Sequence, residues 1–240
     1  RFVQKAHGLP ILRVDRERRE LRLGMDETVE RLSEPPPAAA AVSAGLEHLE
    51  KYVETVDLGQ APDPRFAKMG MYEGLLYMFC APFAHEYMRL KRRRYGVIDS
   101  KGPRFLYIYG PSQNGKSTFL KFVLKLLTGR TIEPLSGGDF AKRKVQGVAS
   151  VGTSFPLAFD DVVMATRAAL FEEVLKSYWE SWWREDCVAP QIVLSSNAYT
   201  LPPWAKSRVK RLDFDVHFAP TDAGGDALAG LFRRDNRVFR

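Results

Sequence analysis

Apolar positions recur along the chain first in a mixed pattern and then in a regular alternation of strand-like and helix-like runs. From Ile11 to Leu23 the sequence is β-leaning and highly charged, with Arg13, Asp15, Arg16, Glu17, Arg18 and Arg19 around a turn, which predicts a short hairpin or edge ribbon. Three prolines and four alanines follow Ser33. Proline suits the first turn of a helix, where its missing N–H would be unpaired anyway, so a boundary is expected near residue 34. Leu46, Leu49 and Val53 then fall near a helical period, and Gln60 to Pro64 interrupts it. Met69 to Arg94 predicts a further helical stretch that Pro82 kinks or divides.

Beyond residue 100 strands and helices alternate. Arg104 to Tyr109, Phe155 to Phe159, Gln191 to Ser195 and Leu212 to Phe218 are strand candidates. Lys116 to Thr128, stopped by Gly129, and Ala165 to Trp183 are helix candidates. This order predicts an α/β fold with a mostly parallel sheet flanked by helices, preceded by a small helical region. Three segments are expected: a β-rich piece over 1–34, the end of a domain in a longer protein; a helical region over 35–100; and the α/β core over 101–240.

Composition narrows the function classes. In 240 residues, 45% are hydrophobic and 27% charged, which provides a packed core and excludes global disorder. The net charge of +7 leans toward acidic partners such as nucleic acid. Two cysteines, Cys80 and Cys187, and no clustered histidines give no disulfide framework or zinc site, which fits a reducing cytoplasm. The longest uncharged apolar run, Leu75 to Ala84, is well short of the roughly 20 residues of a membrane-crossing helix, so no membrane contact is expected.

The chemistry concentrates after the first core strand. A triphosphate needs many donors without crowding, so the backbone must curl tightly into a helix N-terminus. Gly110-Pro111-Ser112-Gln113-Asn114-Gly115-Lys116-Ser117 has that pattern between Phe105–Tyr109 and the run Phe119, Leu120, Val123, Leu124 and Leu127. Lys116 is expected on the β and γ phosphates and Ser117 on Mg²⁺. Thr118, with no fixed role, completes the nucleotide-binding set. Downstream, Pro156 to Phe159 runs into Asp160 and Asp161. Asp160 is the expected metal partner and Asp161 the expected base that orients or deprotonates the attacking water. The strand ending Ser195-Ser196-Asn197 offers Asn197 as a further water-orienting group. Lys206, Arg208, Lys210 and Arg211 crowd the approach to the last strand, and Arg208 or Arg211 is a candidate for stabilising transition-state charge, with a solvated basic loop or a nucleic-acid contact as the alternative.

The loop through Phe119, the acid pair, Asn197 and the trailing arginines together resemble the superfamily 3 helicases, AAA+-related ring motors of viruses and phages, over residues 104 to 218. That resemblance implies an AAA+-like P-loop NTPase that hydrolyses ATP with Mg²⁺ between the subunits of a homo-oligomer, usually a hexameric ring. It also implies that residues 35–100 act as an oligomerisation collar and that a nucleic-acid strand, single-stranded DNA above all, passes through the ring. Two departures stand out: Ser112 replaces a frequent glycine, and Val162 to Pro190 offers no basic hairpin. Trp179, Trp182 and Trp183 in that interval, which also holds Tyr178, are expected in a core or subunit interface rather than as a base-stacking platform. The basic tract Arg89 to Arg94 reads equally as a phosphate contact or a solvated helix end. Two other readings are a nucleotide-gated oligomerisation or regulatory ATPase attached to an effector domain, and a P-loop small-molecule kinase.

Overall fold

A computed structural model describes residues 10–25, 28–32, 37–96, 101–149, 151–198, 200–219 and 222–236. The boundary expected near residue 34 lies outside them. Strands β1 (Ile11–Asp15), β2 (Glu20–Met25) and β3 (Thr28–Arg31) form an antiparallel meander. Helices α1 (Ala39–Glu54), α2 (Pro64–Cys80) and α3 (Ala84–Tyr95) follow. The α/β region runs β4 (Phe105–Tyr109), α4 (Lys116–Thr128), β5 (Leu135–Ser136), α5 (Lys142–Ala149), β6 (Leu157–Asp160), α6 (Met164–Ser177), β7 (Ile192–Ser196), β8 (Val209–Asp213) and α7 (Asp222–Arg233).

Local chemistry sets several of these limits. Asp63 caps α2 by accepting from the Phe66 amide at 3.0 Å, and Pro64 occupies the first turn. Pro82 falls in a short 3-10 turn, Ala81–Phe83, that divides α2 from α3. Gly129 ends α4 with a left-handed φ of 75°.

The five core strands are parallel in the order β5-β6-β7-β4-β8. Alternation along each strand feeds two cores, as a sheet covered on both faces requires. Leu106, Ile108, Ala158, Val193 and Leu212 face α1, α2 and α4 through Tyr52, Met71, Leu75, Phe119 and Val123. Phe105, Tyr107, Leu157, Phe159, Ile192 and Leu194 face α5 and α6 through Val145, Phe171 and Val174, and α3 through Met88. The N-terminal meander joins the first of these cores through Leu12 and Leu23. It is pinned there by the Leu12 amide on Thr153 Oγ1 at 3.0 Å and the Ser154 amide on the Leu12 carbonyl at 2.8 Å.

Several expected boundaries move. The fourth strand is Val209–Asp213, not Leu212 to Phe218. Among the described residues it is an edge strand, where charged side chains are tolerated because one side lacks a strand neighbour. Lys210 pairs with Glu73 at 2.7 Å and Arg211 with Asp213 at 2.5 Å. The second strand starts at Leu157 rather than Phe155. The helix expected to reach Trp183 ends at Ser177 and opens into a π-type turn over Tyr178–Trp182. Successive residues of a regular helix point about 100° apart, yet Tyr178 and Trp179 are both buried, each against Phe105. These aromatics therefore belong to a core. The segments β3, β5, α5 and α7 had no sequence expectation: the strands are very short, and α7 contains three glycines.

The basic tract is largely engaged within the chain. Arg89 is buried and bonded to Glu86 at 3.1 Å, Arg92 donates to the Trp179 carbonyl at 3.4 Å, and Arg93 pairs with Glu185 at 2.6 Å. Among the described residues no helix is long and apolar enough to cross a membrane.

Two buried histidines tie segments together. His48 Nε2 lies 2.9 Å from the Leu231 carbonyl and Nδ1 lies 3.1 Å from the Asn236 amide. His85 Nδ1 accepts from Trp183 Nε1 at 3.1 Å and from the Ala189 amide at 3.2 Å. Both arrangements use a neutral ring, and burial pulls both pKa values below the ordinary 6.5. The unfolded chain takes up these protons first, so this stability is complete above pH 6.5 and is lost as pH falls below it. Thermal unfolding at constant ionic strength is expected to show a midpoint that falls between about pH 7 and pH 5.5. A flat midpoint would contradict neutral native histidines.

Candidate functional site

The site lies at the carboxyl ends of β4, β6 and β7, with β7 between the other two. After Tyr109 the chain curls through 110–115 into α4, with Gln113 and Gly115 at φ 65° and 73°. A β-carbon at Gly115 would also sit 2.9 Å from the Phe218 ring, so glycine is required twice over. The loop is braced from the segment after β8. Asn114 Nδ2 donates to the Phe214 carbonyl at 2.6 Å, and the Phe218 amide donates to the Gln113 carbonyl at 3.0 Å. The residues expected in a longer fourth strand thus support this loop instead.

Lys116 is 7% exposed. Its ammonium donates to the carbonyls of Gly110 at 2.5 Å and Pro111 at 2.7 Å, and to Asn197 Oδ1 at 2.9 Å. Burial lowers its pKa from the ordinary lysine value, opposed by the carboxylates of Asp160 and Asp161. Asn197 Nδ2 in turn donates to Asp161 Oδ1 at 3.0 Å. A continuous hydrogen-bonded path therefore runs from the loop lysine through Asn197 to the second acid.

The acid pair is held by a residue that sequence reading passed over. Ser195 Oγ donates to Asp160 Oδ1 at 2.5 Å and accepts from the Asp161 amide at 2.9 Å. Ser196 Oγ donates to the Val162 carbonyl at 2.7 Å. Asp161 adopts φ 57°, which turns it out of strand geometry. Gly137 is a second missed residue: a β-carbon there would lie 2.3 Å from the Asp161 carbonyl oxygen. The only sequence signals were two serines ending a hydrophobic strand and a Gly-Gly pair.

The remaining candidates divide. Ser117 is exposed on the first turn of α4 and Thr118 is half-buried beside it. Pro111 and Ser112 are exposed at the loop. Among the described residues no cluster of three metal-ligating His, Cys, Asp or Glu side chains occurs. Ser117 and Asp160 still suit Mg²⁺, which usually takes only one or two protein ligands and completes its shell with phosphate oxygens and water. Arg208 and Arg211 are not gathered at the loop. Arg208 precedes β8, at the opposite end of the sheet, and pairs with Glu180 at 2.5 Å. Arg211 pairs with Asp213 and lies over the Tyr109 ring at 4.8 Å.

A family model described as Aq_aa27 P-loop NTPase domain matches residues 34–198. A solved structure titled "SCCmec type IV Cch - active helicase" is similar at 12% identity and a TM-score of 0.43, with 95% of this chain and 58% of that one covered. The chain thus spans less than two thirds of that protein's length. No curated protein matches.

Removing the Ser195 hydroxyl leaves the Asp161 amide without its acceptor and frees Asp160, a loss of about 1–3 kcal/mol. Ser195→Ala is expected to lower nucleoside triphosphate turnover about tenfold or more, with nucleotide affinity nearly unchanged. Phosphate release and titration calorimetry measure the two. Unchanged turnover would show that the hydroxyl does not position the acids.

Proposed function

The chain belongs to the Aq_aa27 P-loop NTPase domain family, and from that premise we propose that it hydrolyses ATP as a homo-oligomeric motor of the superfamily 3 helicase type, acting on single-stranded DNA. The observation that carries the hydrolytic part is the path Lys116–Asn197–Asp161. A site that only held a nucleotide would need the lysine and the loop. Coupling that lysine to a carboxylate through a fixed amide adds what a water-activating site requires.

In this reading the loop amides and Lys116 hold the triphosphate. The γ phosphate is a stronger acceptor for the ammonium than the Asn197 amide oxygen, so binding frees Asn197 to orient water beside Asp161. Asp161 takes the proton of that water. Ser195 keeps both acids fixed during the exchange. Mg²⁺, held by Ser117 and through water by Asp160, would neutralise charge on the phosphate oxygens. A guanidinium from a neighbouring copy would stabilise the transferred phosphoryl group. Of the two candidates, Arg211 is the better suited, because it lies on β8, an edge strand among the described residues, beside Tyr109, whereas Arg208 lies at the end of the sheet opposite the loop.

The nucleic-acid part is supported by the net charge of +7. Steady-state ATP hydrolysis is expected to rise at least about fivefold with single-stranded DNA, with particles larger than a monomer by light scattering. Lys116→Ala should abolish both basal and stimulated turnover. Hydrolysis and assembly that ignore every nucleic acid would overturn the motor reading and favour a nucleotide-gated assembly ATPase. Phosphate transfer to a metabolite would favour a kinase.

A further inference from the structure

Among the described residues, two of the cavities that border the phosphate loop differ in the kind of lining they present. One, of about 810 Å³, is lined by prolines and polar residues, among them Pro62, Pro64, Pro111, Asn114, Asp57 and Asp215, with Asp57 paired to Lys68 at 2.5 Å. The other, of about 530 Å³, lies on the side of Gln113, Gly115 and Thr118. Its other walls are Tyr52, Thr55, Leu58, Met71, Phe218 and Leu228, with Ala219, Gly224 and Gly225. Among the described residues no charged side chain lines it.

The geometry points to this second cavity as the pocket for the purine base of the nucleotide, with the Phe218 ring as its stacking surface. The assignment rests on the reading of residues 110–117 as a triphosphate site. Its lining residues Phe218, Ala219, Gly224, Gly225 and Leu228 lie outside the stretch that the family model matches.

Position is the first argument. The cavity shares Gln113, Gly115 and Thr118 with the loop and the start of α4. A group attached to the phosphate chain can enter it without crossing the acid pair. Chemistry is the second. A base is flat, uncharged and largely apolar on its faces, and ligand pockets of about 300–1,000 Å³ are lined mainly by apolar and aromatic side chains. The first cavity, lined largely by prolines and polar side chains, offers a base less apolar and aromatic surface. The third argument is the fixing of Phe218. Its amide bonds to the Gln113 carbonyl and its ring comes within 2.9 Å of where a Gly115 β-carbon would sit, so the ring is registered to the loop itself. It is half-buried, which leaves part of its surface to stack.

The opposite walls come from the helical region and the C-terminal helix. Tyr52 and Thr55 belong to α1 and the turn after it, Met71 to α2, and Leu228 to α7. The α7 end is held to the helical region by Arg234 on the Ala44 carbonyl at 3.1 Å, and to α4 by Lys125 on the Arg234 carbonyl at 2.7 Å. A bound base would therefore touch three parts of the chain that are far apart in sequence. Larger purine rings gain more stacking area than pyrimidines.

Affinities of the full chain for ATP, CTP and inorganic tripolyphosphate, measured by titration calorimetry, separate base from phosphate. The wild type is expected to bind ATP about tenfold or more tighter than tripolyphosphate, with CTP between them. Phe218→Leu, which keeps apolar bulk but loses the ring, should collapse that gap. Leu228→Trp, which fills the cavity from the far wall, should do the same. Leu228→Trp, whose position lies away from the loop, should keep wild-type tripolyphosphate affinity, which also reports an intact loop. An undiminished gap in both variants, or no gap in the wild type, would overturn the pocket while leaving the triphosphate site standing. A wild type that binds none of the three would overturn the triphosphate reading and the pocket with it.

Discussion

An ammonium removed from water must be met by acceptors, and the site is organised around that requirement at Lys116. Burial alone would disfavour its charge. Two loop carbonyls and the Asn197 amide oxygen offset the loss, and the two acids add a longer-range pull. One side chain thereby joins the end of β4 to the end of β7, and through Asn197 to the end of β6. The curl of the loop, the polar ending of β7 and the turn at Asp161 all serve this one junction.

The parallel sheet makes the junction possible. Its strands are buried on both faces, and their carboxyl ends open at one edge, where polar residues can replace apolar ones without disturbing either core. The apolar run Ile192–Leu194 holds β7 between its neighbours, and Ser195 and Ser196 then spend their hydroxyls on the acid-bearing turn. The segment after β8 leaves the sheet and braces the loop through Phe214 and Phe218, where it also walls the cavity assigned to the base.

What the sequence made legible was local. The strand, curl and helix around Gly110 to Ser117 occupy one continuous stretch, and glycine spacing and apolar periodicity report it directly. The alternation that predicted the parallel sheet is equally local, and it holds, as does the division of the helical region at Pro82. What stayed illegible depended on distant partners. Ser195 reads as an ordinary strand end until the fold brings Asp160 and Asp161 to it across 35 and 34 residues. Gly137 matters only because the Asp161 backbone passes against it. Lys210 and Arg211 read as a loop because nothing nearby in sequence shows that theirs is an edge strand. The arginines of α3 read as a basic surface until Glu86, Glu185 and the Trp179 carbonyl are seen to take them.

The central claim is that the path from Lys116 through Asn197 to Asp161 serves hydrolysis and not only nucleotide retention. Asp161→Asn keeps the size of that side chain and removes its capacity to take a proton, so single-turnover cleavage of ATP beside equilibrium binding tests the claim most directly. The account predicts binding close to wild type and a cleavage rate lower by about a hundredfold or more. Cleavage at the wild-type rate with intact binding would contradict it.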